Sequence, residues 1–198
     1  MGLRLRLSFV TTIALVALAV VPTALARGAD FTFDGGTAAQ RNHVVRALAA
    51  SSFDWSILRS PVKVHIGRGL ESEATPANVW LNGDLLDSGR FSWGVVQHEF
   101  AHQVDFFLLT DAQREELRNL LHAPVWCTSD VLGIAHSDYG CERFASTLAW
   151  AYWPSADNSM RPQSKNDEAA AMSPAAFRAA LKRMLGVNST IRRTGGSR

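Results

Sequence analysis

Apolar positions recur along this chain with two different periods, and the switches between them predict where helices and strands lie. Ala38 to Ala50 has helical spacing and predicts an early helix. Val62-Lys63-Val64-His65-Ile66 alternates and predicts a strand. Ala77 to Asn82 predicts a second, with Asn82-Gly83 as a turn signal behind it. From Ser92 to Leu109, Trp93, Val96, Phe100, Val104 and Phe107 fall on one helical stripe suited to burial. Ser92 stands where an N-cap belongs, and Gly94 is a mild weakness in the first turn. Thr110 with Gln113 reads as a capping box for a helix through His122. Cys141 to Trp150 is again helical and has to stop before Pro154. A last helix runs from the Ser173 cap and Pro174 to Gly186. The stretch between Trp153 and Ser173 is polar and rich in breakers, which predicts a surface loop. Beyond Gly186 a disordered tail is expected, carrying the Asn188-Ser189-Thr190 sequon.

The chemistry concentrates on the Ser92 to Leu109 helix. His98-Glu99-Phe100-Ala101-His102 puts two imidazoles one turn apart, because residues four apart share a helix face. Both can direct a ring nitrogen at one ion about 2.0–2.1 Å away. Glu99 falls beside them, where a carboxylate can take a proton from a metal-bound water and pass it to a leaving amine. The competing reading is a buried amphipathic helix whose histidines only satisfy hydrogen bonds. Against it stands Glu99, since glutamate is almost never fully buried unless paired. Asp105 is either an acceptor that orients a ligand imidazole or an exposed helical carboxylate.

A catalytic zinc needs a third protein ligand and an open fourth position. The extended motif H-E-x-x-H-x-x-G-x-x-H fails, because Asp105 replaces its glycine and Leu108 its last histidine. The best downstream candidate is Glu142, which opens Cys141-Glu142-Arg143-Phe144-Ala145. His136 and Asp138 remain alternatives.

In these two stretches, HEFAH at 98 to 102 and ERFA at 142 to 145, the chain resembles the gluzincin branch of the zincin metallopeptidases, in particular small lethal-factor-type catalytic domains. The resemblance covers Val62 to Trp153. It implies His98, His102 and Glu142 as Zn²⁺ ligands and Glu99 as base. A rival likeness is to the aspzincins, whose G-T-x-D-x-x-Y-G aligns with Gly133 to Gly140. Ile134 and His136 then stand in place of the expected threonine and aspartate, and His136 becomes the ligand.

Composition and charge set the surroundings. Arg4 and Arg6, an apolar core from Leu7 to Val21 and Ala24-Leu25-Ala26 read as a signal peptide over residues 1–26, implying export and no stable membrane anchor after cleavage. The apolar core is shorter than the roughly 20 residues a membrane span needs. Arg4 and Arg6 also account for the whole net charge of +2, so residues 27–198 are formally neutral and nothing marks a nucleic-acid partner. Two cysteines in an exported chain predict one disulfide, Cys127 to Cys141, which would fix the residue next to Glu142; a thiolate zinc ligand is the competing role.

Residues 27–186 fit one domain with a single core. The expected fold is a small helix-rich α+β, zincin-like domain with a short twisted sheet ahead of the metal helix. The Ala77 to Asn82 strand would be either a free edge able to bind an extended peptide or an ordinary paired strand with Trp80 in the core. His65 reads as structural. Tyr139 and His136 are candidate oxyanion donors. The expected function is a secreted zinc metalloendopeptidase acting on a protein or peptide. The alternatives are a zincin-like scaffold without turnover and a zinc hydrolase of a non-peptide bond.

Overall fold

The computed structural model describes residues 30–127 and 133–186. The expected signal peptide and tail lie outside the described residues. Among the described residues no helix is long and apolar enough to cross a membrane.

The chain forms a small, helix-rich α+β domain with a four-stranded mixed sheet. Strands β1 (Phe31–Gly35), β2 (Val62–Gly67), β3 (Glu73–Thr75) and β4 (Asn78–Asn82) lie in the order β1-β2-β4-β3. β2 is parallel to β1 and β4, with Phe31 opposite Val62 and Val64 opposite Val79, and β3 runs antiparallel to β4. The alternation of β2 sends Val62, Val64 and Ile66 into the core and leaves Lys63 and His65 on the far face. Two sequence expectations change here. The Ala77 to Asn82 strand is not an edge, because β4 is paired on both sides and β1 and β3 form the edges. Nor is Trp80 in the core: it is half-buried on the far face, stacked on His65 with ring centroids 4.9 Å apart. His65 also meets Asp34 at 3.3 Å and Asn78 at 3.0 Å, a packing role as expected. β1 alternates over a short stretch, with Phe31 and Phe33 partly buried against the core and Thr32 exposed between them, whereas β3 is only three residues long. β1 is held by pairing with β2, with Phe31 edge-on to Phe100 at 5.8 Å.

Among the described residues six helices complete the domain: α1 (Ala38–Ala50), α2 (Gly83–Leu86), α3 (Trp93–Leu108), α4 (Asp111–Leu120), α5 (Gly140–Tyr152) and α6 (Pro174–Leu185). The Thr110/Gln113 capping box and the Ser173 cap form as expected, and Gly186 ends α6 at φ 63°. Asn82-Gly83 is not a turn between strands. The Asn82 side chain accepts from Asp84 and Leu85 N–H groups and starts α2.

Helix α3 is the spine. It packs against α1, the sheet and, most extensively, α5. Val96, Phe100, Ala101 and Val104 are fully excluded from solvent, but Phe107, expected in the same stripe, is 38% exposed where the helix runs out from under the core. Ser92 does not cap α3 with its side chain. A short 3₁₀ turn over Arg90–Ser92 leads straight into the helix, and the Ser92 hydroxyl donates to the Gly89 carbonyl. Gln103, fully buried, fixes the sheet to the helix: its Oε1 accepts from Ala77 N–H at 2.9 Å, and its Nε2 donates to the Thr75 and Asn78 carbonyls at 3.0 and 3.1 Å.

The 153–173 segment is a loop, yet it is tied into the body. Asn158 is buried and its Nδ2 donates to the Ala149 and Trp153 carbonyls. Gly94, far from being a weakness, admits this segment: a Cβ there would collide with the Asn158 and Ser159 side chains and with the Ser159 backbone nitrogen.

Candidate metal centre

Helix α3 contributes His98, Glu99 and His102, all buried, on the side that faces α5. Their position follows from core packing. Phe100 and Val104 point into the core beside the sheet, which turns residues 98, 99 and 102 the other way. Helix α5 is aligned against them by Phe144 and Leu148, both fully buried, and its first turn carries Glu142.

The two helices bring three atoms together. His98 Nε2 lies 3.2 Å from His102 Nε2, and Glu142 Oε2 lies 3.1 Å from the first and 3.5 Å from the second. Glu99 offers a carboxylate oxygen within 4.8 Å of a ring nitrogen of each histidine. Four atoms held tetrahedrally about 2.0–2.1 Å from one zinc stand roughly 3.3 Å from each other, so the three observed separations describe one face of such a tetrahedron. The donor set, two imidazoles and a carboxylate, is the type that zinc takes.

Burial and mutual contacts shift the titration of three of these groups. Burial raises the Glu99 carboxyl above the usual carboxylate range, partly opposed by His98 and His102. Burial pushes Glu142 the same way, but its contacts with His102 and His98 win and hold it well below that range. For His98, burial disfavours the protonated ring, and the hydrogen bond to Glu142 with the charges of Glu99 and Glu142 outweighs it, raising the pKa.

Around this face lie groups from irregular segments. His136 begins a 3₁₀ turn ahead of α5, with its Nε2 3.3 Å from Glu142 Oε2 and its side chain 72% exposed. Asp138, the other alternative ligand, is drawn away: it accepts from Arg143, whose guanidinium also donates to the Ser137, Leu121 and His122 carbonyls. Tyr139 is half-buried in the residue before α5, where its carbonyl accepts from Arg143 N–H. Cys127 and Cys141 are joined by a disulfide with Cα atoms 5.6 Å apart, so neither sulfur is a free thiolate.

Asp105 is buried and holds neither of the roles expected for it. It accepts from Arg114 Nε at 2.7 Å and from Trp126 Nε1 at 3.1 Å, so it anchors the strand-like segment leading to Cys127 rather than orienting an imidazole. Two residues not singled out from the sequence reach the cluster, Ser146 directly and Glu168 through it. Ser146 Oγ lies 3.0 Å from His98 Nδ1, and Glu168 Oε2 accepts from Ser146 Oγ at 2.5 Å. Ser146 was legible in principle, one turn after Glu142 on the same helix face. Glu168 was not, because it stands in the breaker-rich loop with no period to place it.

Compared with known proteins, the chain matches no protein family, no curated protein and no solved structure.

Proposed function

We propose that this chain is a zinc-dependent metallopeptidase in which His98, His102 and Glu142 hold one Zn²⁺ and Glu99 is the general base. The observation that carries the reading is the triangle of His98 Nε2, His102 Nε2 and Glu142 Oε2, with edges of 3.1, 3.2 and 3.5 Å and Glu99 beside it. Three protein donors on one face leave the opposite side for water and substrate, as hydrolysis requires.

Zinc supplies Lewis acidity that makes water nucleophilic near neutral pH. Glu99 takes the proton from the attacking water and returns it to the leaving amine nitrogen. Its burial suits the first half of that task, since raising a carboxyl above its usual range makes its carboxylate a stronger base toward the attacking water. His136, exposed and close to Glu142, is placed to donate to the developing oxyanion; Tyr139, three residues before Glu142, is the second candidate. The reading includes export with loss of residues 1–26, supported by the disulfide, which suits an oxidising compartment.

Peptide-library cleavage by protein beginning at Arg27, with metal content measured alongside, tests the proposal. The wild type should cleave. Glu99→Gln should keep its zinc and lose about 10²–10⁴ in turnover. Loss of zinc in step with activity would make Glu99 a ligand. A wild type that binds zinc and cleaves no peptide would favour the scaffold or a non-peptide bond.

A further inference from the structure

Glu168 reaches the cluster from outside the two helices that form it, and both its carboxylate oxygens are in use. Oε2 accepts from Ser146 Oγ at 2.5 Å, and Oε1 lies 3.0 Å from His136 Nδ1. Ser146 is almost fully buried and has one proton to give. Its other neighbour on that side, Met160 Sδ at 3.3 Å, is the weaker acceptor, so the proton goes to Glu168. Ser146 Oγ therefore accepts from His98, and His98 Nδ1 must carry hydrogen. The opposite edge of the ring turns Nε2 toward His102 and Glu142, which is the nitrogen a metal would take there. His136 in turn meets Glu168 through Nδ1, with its Nε2 turned toward Glu142.

From this geometry we infer that Glu168 is a positioning residue for both imidazoles, acting on His98 through Ser146 and on His136 directly. The inference rests on the zinc reading for its purpose, though not for its contacts. A ligating histidine needs its second nitrogen tied to an acceptor to fix tautomer and ring plane. Here a serine hydroxyl carries that tie from a carboxylate one step further out. Because one carboxylate serves the ligand and the candidate oxyanion donor together, the 3₁₀ turn over Glu168–Ala170, which packs on α5, sets the spacing between them.

Three variants test this: Ser146→Ala, Glu168→Met, which keeps the length of the side chain and removes both acceptors, and the double change. Zinc dissociation constants are read by chelator competition on protein beginning at Arg27. Each single change should weaken zinc about tenfold, the lower end of the range for such partners. The double should be no weaker than the worse single within about twofold, since breaking one relay at either link breaks it once. Losses that multiply to about a hundredfold, or single variants that bind like wild type, overturn the relay. A second readout needs no metal. The Nδ1–H proton of His98 should give a slowly exchanging imidazole resonance in metal-free wild type and lose that protection in both single variants. Protection that survives in both overturns the inference even where zinc affinity falls. A wild type that binds no zinc but shows the protected proton, lost in both variants, sinks the metallopeptidase reading and leaves the positioning of His98 standing.

Discussion

Helices α3 and α5 and the irregular segments flanking α5 converge on one cluster, but they hold their groups in different ways. His98, His102 and Glu142 project from regular helices whose opposite faces are fully buried at Phe100, Val104, Phe144 and Leu148. Their spacing is set by helix geometry and core packing together, so little can shift without loss of the core. His136 and Glu168 come from 3₁₀ turns held by side-chain hydrogen bonds, with His136 mostly in solvent. The first arrangement suits ligands, which need fixed distances. The second suits groups that adjust as substrate arrives. Nearby, Arg143 shows how the irregular part is kept in reach: one guanidinium on α5 joins the end of α4 to the His136 turn.

The contrast can be broken from the core side. Phe144→Ala should cost about 3–5 kcal/mol, as for other buried phenylalanines, and carry zinc binding away with it because Glu142 sits on the same helix. Urea unfolding with and without zinc measures it; a loss below 1 kcal/mol would mean α5 is not set by this packing. Removing the Cys127–Cys141 disulfide by double alanine substitution should cost about 3 kcal/mol in the chain-entropy picture of a loop of this size, whose ends are 14 residues apart. It should weaken zinc before global unfolding, and intact zinc affinity up to the unfolding midpoint would contradict that order.

Smaller effects belong to the irregular side. Gly94→Ala should cost about 1–3 kcal/mol, because the new methyl meets the Ser159 backbone, which cannot move aside as a side chain tip would. Thermal unfolding reads this, and a stabilised variant would show that the 153–173 segment is loosely docked. His136→Ala should change stability by less than about 0.5 kcal/mol while lowering turnover. A large loss of stability would make His136 structural.

The sequence carried the helices well where a cap and an apolar period agreed, as at Thr110 with Gln113 and at Ser173-Pro174 with Gly186. It carried the cluster as far as His98, Glu99, His102 and Glu142, because helix periodicity turns spacing into direction. It misread residues whose neighbours are distant in sequence. Gly94 looked weak because the segment that needs its missing Cβ lies some 65 residues later. Asp105 looked like either an imidazole partner or an exposed carboxylate because Arg114 and Trp126 approach it only in the fold. Strand β3, three residues long, owes its form to pairing with β4, and the alternation of β1 spans only Phe31 to Phe33 before Asp34 and Gly35 end it.

The central claim is that the two regular helices hold the metal and the irregular turns do not. Zinc dissociation constants and stoichiometry for wild type, Glu142→Ala and His136→Ala, measured by chelator competition, test it most directly. The account predicts one Zn²⁺ per chain in wild type, a loss of at least about tenfold in Glu142→Ala, and affinity within about twofold of wild type in His136→Ala. Retention in Glu142→Ala with loss in His136→Ala would contradict it, moving the third ligand from the helix to the turn.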